Sequence, residues 1–110
     1  MSYPIGYTYP VIEIRETREF SQWLSKLKDR TAKGRVLARI QRLACGLAGD
    51  VKPVGQGVSE MRIHSGPGYR VYFCQRGESL IVLLAGGDKS TQNRDIETAQ
   101  RLARGLEQTP

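Results

Sequence analysis

Histidine, cysteine and long apolar runs are nearly missing from this sequence. Its 110 residues hold one histidine, His64, and two cysteines, Cys45 and Cys74. Two cysteines do not build a disulfide framework, so reduced thiols in a cytoplasmic protein are expected. With a single histidine and no paired Cys/His spacing, no metal site and no other cofactor is expected. The longest strongly apolar run, Leu80 to Ala85, is far shorter than the ~20 residues that span a bilayer, so no membrane partner is expected. Met1 to Pro10 lacks a basic residue followed by an apolar stretch and does not read as a secretory signal. Acidic residues are also in deficit. Asp and Glu total 11 against 17 Lys and Arg, a formal charge of +6, which favours a polyanionic or acidic partner.

What remains is enough for one small α+β domain spanning residues 1–110, with residues 1–9 an irregular lead-in rich in Tyr, Pro and Gly. Val11 to Arg15 alternates apolar and charged residues as a strand does. Thr17 is a predicted cap for a helix whose stripe is Phe20, Trp23, Leu24 and Leu27. After a break at Asp29-Arg30-Thr31, with Thr31 as cap, a second helix presents Val36, Leu37, Ile40, Leu43, Ala44 and Leu47 on one side. Lys33, Arg35, Arg39 and Arg42 lie mostly on its other, basic side. Gly46, Gly49 and Asp50 end it. Val51 to Val54 reads as an edge strand carrying Pro53. Val58 to His64 and Arg70 to Gln75 read as a hairpin, and Leu80 to Ala85 as a buried strand. A last helix carries Ile96, Ala99, Leu102, Ala103 and Leu106, with Ser90 or Thr91 as cap and Gly105 near its end. The sum is a largely antiparallel sheet, an N-terminal helical hairpin packed on one face, and a C-terminal helix.

Within the strand hairpin, pairing Ile63 with Val71 and Met61 with Phe73 keeps the apolar side chains together and leaves Ser65 to Tyr69 as a five-residue loop. This register sets His64 against Arg70, Arg62 against Tyr72, and Glu60 against Cys74, all on the face away from that core. If the helices cover the opposite face, this one is open and concave. A solvated sheet face carries mixed charges as a rule, so the face alone assigns no function. The turn Gly86-Gly87-Asp88-Lys89-Ser90 then delivers a lysine to a helix start, where backbone N–H groups favour an anion. It lacks the spacing of a nucleotide-binding loop.

Glu60-Met61-Arg62-Ile63-His64, the strand Gly68-Tyr69-Arg70-Val71-Tyr72-Phe73, and Gly86-Gly87-Asp88-Lys89-Ser90 with its following helix resemble the RelE/ParE superfamily of type II toxins. The resemblance runs from about Tyr9 to Leu106 and is strongest to the HigB-like addiction module killer proteins. It implies a ribosome-dependent mRNA endoribonuclease that inhibits translation and is held inactive by a cognate antitoxin. It also implies that Arg70 contacts the scissile phosphate, with Arg62 and Lys89 as further basic positions and Arg94 a weaker one. Glu60 and His64 fall at strand positions that vary in the family. The tyrosine that the best-known members carry in the last helix is missing here.

Metal-independent cleavage of RNA uses the substrate's own 2′-hydroxyl as nucleophile. The protein then takes one proton, supplies another and stabilises charge on the phosphoryl oxygens. Arg70 and Lys89 suit the last task, and Tyr72, Arg94 and Arg62 are candidate RNA contacts. Glu60 or His64 is the candidate base, with the other, or Tyr72, as acid. The alternative is a ParE-like toxin that acts on DNA gyrase without cutting RNA.

Overall fold

A computed structural model describes residues 12–107, so the expected lead-in and Val11 lie outside the described residues. The elements run β1 (Glu13–Glu16), α1 (Arg18–Lys26), α2 (Arg30–Ala44), β2 (Val51–Pro53), β3 (Val58–Ile63), β4 (Tyr69–Arg76), β5 (Leu80–Gly87) and α3 (Gln92–Glu107). They form one five-stranded sheet in the order β1-β5-β4-β3-β2. All pairs are antiparallel except β1 with β5, which is parallel. This is the α+β architecture the sequence predicts, with Pro53 on the edge strand, where its missing N–H costs nothing.

Helix starts follow their capping side chains. Thr17 Oγ1 accepts from Phe20 N at 3.1 Å and caps α1 as predicted. The cap of α2 is Asp29, whose Oδ1 accepts from Ala32 N at 3.0 Å, and the predicted cap Thr31 lies inside the helix. The cap before α3 is Asp88 rather than Ser90 or Thr91. Asp88 Oδ1 accepts from Ser90 N at 2.8 Å and closes a short 3-10 turn, Lys89–Thr91, that leads into the helix.

The sheet is covered on both faces, not one. Phe20 of α1 and Val36 and Leu43 of α2 pack on Met61, Ile63, Val71, Phe73, Ile81 and Leu83. On the opposite face α3 lays Ala99 and Ala103 over Val58, Tyr72, Cys74, Val82, Leu84 and Ala85. Alanines let the helix approach the sheet closely. The face expected to be open is therefore half roofed. Two side chains assigned to the core side of α2, Leu37 and Leu47, are instead exposed.

The hairpin register differs by two residues from the expectation. Arg62 pairs with Arg70, Met61 with Val71, Glu60 with Tyr72 and Ser59 with Phe73, and the loop is His64 to Gly68. Tyr69 decides this. Its ring packs edge-on against Trp23, centroids 6.3 Å apart, so Tyr69 joins β4 and pairs with Ile63. Gly66 and Gly68, both at positive φ, then make the turn. A shift of two preserves faces, so the side chains that remain in β3 and β4 keep the sides they were assigned, while His64 passes into the loop.

Candidate active site

Among the described residues Glu60 is the one charged residue in the buried set, and it is completely enclosed. Its Oε2 accepts hydrogen bonds from Tyr72 Oη at 3.0 Å and Gln92 Nε2 at 2.9 Å. Around it stand three cations: Arg62 Nε 3.5 Å and Lys52 Nζ 3.9 Å from Oε1, and Arg70 Nε 3.6 Å from Oε2. A buried carboxylate survives only when paired and hydrogen-bonded, and this one has both kinds of partner. One negative charge under three positive ones leaves the surface above it with an excess of two.

The register creates this cluster. Arg62 and Arg70 are cross-strand partners on the α3 side of the sheet, with Glu60 paired to Tyr72 one step along and Lys52 paired to Glu60 from β2. Arg70 is the more deeply set guanidinium, its side chain 12% exposed, and its Nη1 donates to Gly68 O at 2.7 Å. The side chain of Arg62 is 37% exposed. The two Nε–H groups and Glu60 Oε1 are buried without a hydrogen-bond partner. The guanidiniums are thus held near the carboxylate by charge, and Arg70 is fixed further by its Nη1 bond to Gly68 O.

Lys89 is exposed on the turn after β5, and Arg70 pairs with Gly87 at the end of that strand. Asp88 lies between them in sequence. Hydrogen bonds from Ser90 hold its carboxyl below the usual range, and the Arg70 charge adds to the effect. The helix start expected to receive an anion is therefore already served by Asp88. Lys89 and Arg94 line an open depression of about 350 Å³ on the first turn of α3. The glycine pair has a packing reason. A Cβ on Gly86 would lie 2.2 Å from Trp23 Cε3, and one on Gly87 would lie 1.8 Å from Asp95 Oδ2. Burial pushes the Asp95 carboxyl up, while the hydrogen bond from Thr91 opposes it.

Two candidates are placed otherwise than expected. Tyr72 is fully buried, so its ring is not offered to a base. Burial first, then the Glu60 charge and hydrogen bond, push its hydroxyl well above the usual tyrosine range, and it donates rather than ionises. His64 does not stand against Arg70. It lies past the end of β3, exposed, with Nε2 2.8 Å from Asp50 Oδ2. The His64 hydrogen bond and the Arg62, His64 and Arg39 charges hold the Asp50 carboxyl down, against a smaller effect of burial.

Four contributors were not singled out from the sequence as site residues: Lys52, Gln92, Asp50 and Arg39. Lys52 was within reach, since extending the ladder to the edge strand sets it opposite Glu60. Among the described residues no group of three or more His, Cys, Asp or Glu side chains is placed to hold a metal ion. No helix among them is long and apolar enough to cross a membrane.

Comparison with known proteins adds two findings. The family model described as Phage derived protein Gp49-like (DUF891) matches residues 22–104, a span holding Glu60, Arg62, His64, Arg70, Tyr72, Lys89 and Arg94. An uncharacterized protein of Haemophilus influenzae is 50% identical over 95 residues, covering 86% of this chain and 96% of that protein.

Proposed function

The chain belongs to the phage-derived Gp49-like family of addiction-module toxin-like proteins, related to RelE-type toxins, and we propose that it is the toxin of a type II toxin–antitoxin pair. In this reading it is a HigB-like mRNA interferase: a cytoplasmic, ribosome-dependent, metal-independent endoribonuclease, a single domain over residues 1–110, silenced by a cognate antitoxin. What supports the reading is the pair Arg62 and Arg70, facing each other across the hairpin over one enclosed carboxylate.

Two guanidiniums gathered at one carboxylate suit a phosphodiester, whose non-bridging oxygens accept paired donors. Arg70 and Arg62 hold the scissile phosphate and offset the charge that builds on it as the 2′-oxygen attacks. Lys89 and Arg94 hold flanking phosphates. Glu60 and Tyr72 do not touch RNA. They fix the guanidiniums in place, so that little reorganisation is needed when the phosphate arrives.

Purified protein added to a translation reaction tests the proposal by primer extension along the message, with gyrase supercoiling run in parallel. New 5′-hydroxyl ends inside the coding region, with supercoiling untouched, are the expected result. Blocked supercoiling with an intact message overturns the proposal in favour of a gyrase-directed toxin.

A further inference from the structure

On α2, Arg35 and Arg39 are not a merely solvated basic face. Arg39 Nη1 donates to Arg62 O at 2.6 Å and its Nη2 to Ala48 O at 3.1 Å, tying the loop before β2 to the end of β3. Gly49, at φ +70°, leaves room for this guanidinium, since a Cβ there would lie 2.7 Å from Arg39 Nη2. Beside it Asp50 O accepts from Arg62 N at 3.0 Å. Arg35 Nη1 donates to His64 O at 3.0 Å. The backbones of Asp50 and His64 are thus each anchored, one through β3 and the other through α2. Their side chains meet at 2.8 Å next to Arg62. An ordinary exposed ion pair has no such scaffold and contributes little.

We infer that Asp50, in a loop fixed by Arg39, is a positioning residue that orients His64 to take the proton from the attacking 2′-hydroxyl; this rests on the ribonuclease reading above. With Asp50 ionised, Nε2 carries its proton toward the carboxylate and Nδ1 is left with the lone pair. In the step, the 2′-O–H proton passes to Nδ1 and the 2′-oxygen bonds to phosphorus. The bond from phosphorus to the 5′-oxygen breaks, and the leaving oxygen takes a proton from water. The proton held by His64 then neutralises the hydroxide, restoring the starting state. Arg62 and Arg39 act on Asp50 by charge, and Arg35 donates to His64 O.

The test compares wild type, His64→Ala, Asp50→Ala, Asp50→Asn and the His64→Ala/Asp50→Ala double variant in cleaving translated mRNA. Thermal melts confirm folding. Binding of an mRNA with a 2′-deoxy residue at the cut site is measured alongside. His64→Ala is expected to lose about 10²-fold or more in rate. Both Asp50 variants lose part of the same factor with RNA binding unchanged. The double variant is expected to match His64→Ala within about twofold, the margin within which independent effects add. Wild-type rates in any of the three single-site variants, or a double variant slower than His64→Ala beyond that margin, overturn the inference while the ribonuclease reading stands. A wild-type protein that cuts no RNA overturns both.

Discussion

Arg62 and Arg70 stand directly opposite each other on β3 and β4, each with its Nε within 3.6 Å of a different oxygen of the buried Glu60 carboxylate. Two cations that would otherwise repel are held side by side by the acid beneath them. The consequences reach both stability and function.

Glu60→Ala is expected to destabilise the fold. It leaves Arg70 set into the sheet without a counter-charge and the Tyr72 hydroxyl without its acceptor. Removing one partner of a buried ion cluster costs about 3 kcal/mol or more. Urea denaturation checks this through the midpoint at constant slope. An unchanged midpoint contradicts a structural role for the carboxylate.

Tyr72 gives an alkaline signature. Its hydroxyl titrates above the ordinary tyrosine value when folded and near ~10 when unfolded, so the folded state binds the proton more tightly. That stabilisation is complete below the unfolded value and is lost as pH rises through the folded one. Wild-type stability should therefore fall more steeply above about pH 10 than that of Tyr72→Phe. Parallel stability curves for the two proteins would remove Tyr72 from the account.

The side each hairpin residue occupies was legible because a period of two survives any even shift, whereas the register was not. Nothing in Gly68-Tyr69-Arg70 says whether Tyr69 belongs to loop or strand until Trp23, from α1, is beside it. The apolar stripe of α3 was readable, but not that it lies on the face opposite α1 and α2. That roof is what buries Tyr72 and, through Gln92, closes over Glu60. Strand alternation put Arg62 and Arg70 on one face, and the family resemblance singled them out. Asp50 and Arg39 were not, because their roles come from a loop tied to a strand by a helix.

Gly86→Ala is expected to perturb packing, not charge. Its methyl group would meet the Trp23 indole, which rests between Phe20 and Tyr69. Overpacking of this kind costs about 1–3 kcal/mol. A lowered melting temperature with altered tryptophan fluorescence checks it, and an unchanged melt contradicts the close approach.

Lys89→Ala and Arg94→Ala, both at exposed positions, should leave the fold intact and weaken single-stranded RNA binding. Each should reduce the slope of log affinity against log salt by about 0.7, one phosphate contact apiece. A slope equal to wild type takes that residue out of the interface.

The most direct measurement is made in cells. The chain is induced without its antitoxin as wild type and as Arg70→Ala, and RNA 5′ ends are mapped within minutes. The account predicts new 5′-hydroxyl ends in translated messages and arrested growth with wild type. Neither should appear with an Arg70→Ala protein that still melts cooperatively, since Arg62 and Lys52 remain to balance Glu60. Wild-type cutting by that variant would show that the guanidinium at this position does not hold the scissile phosphate.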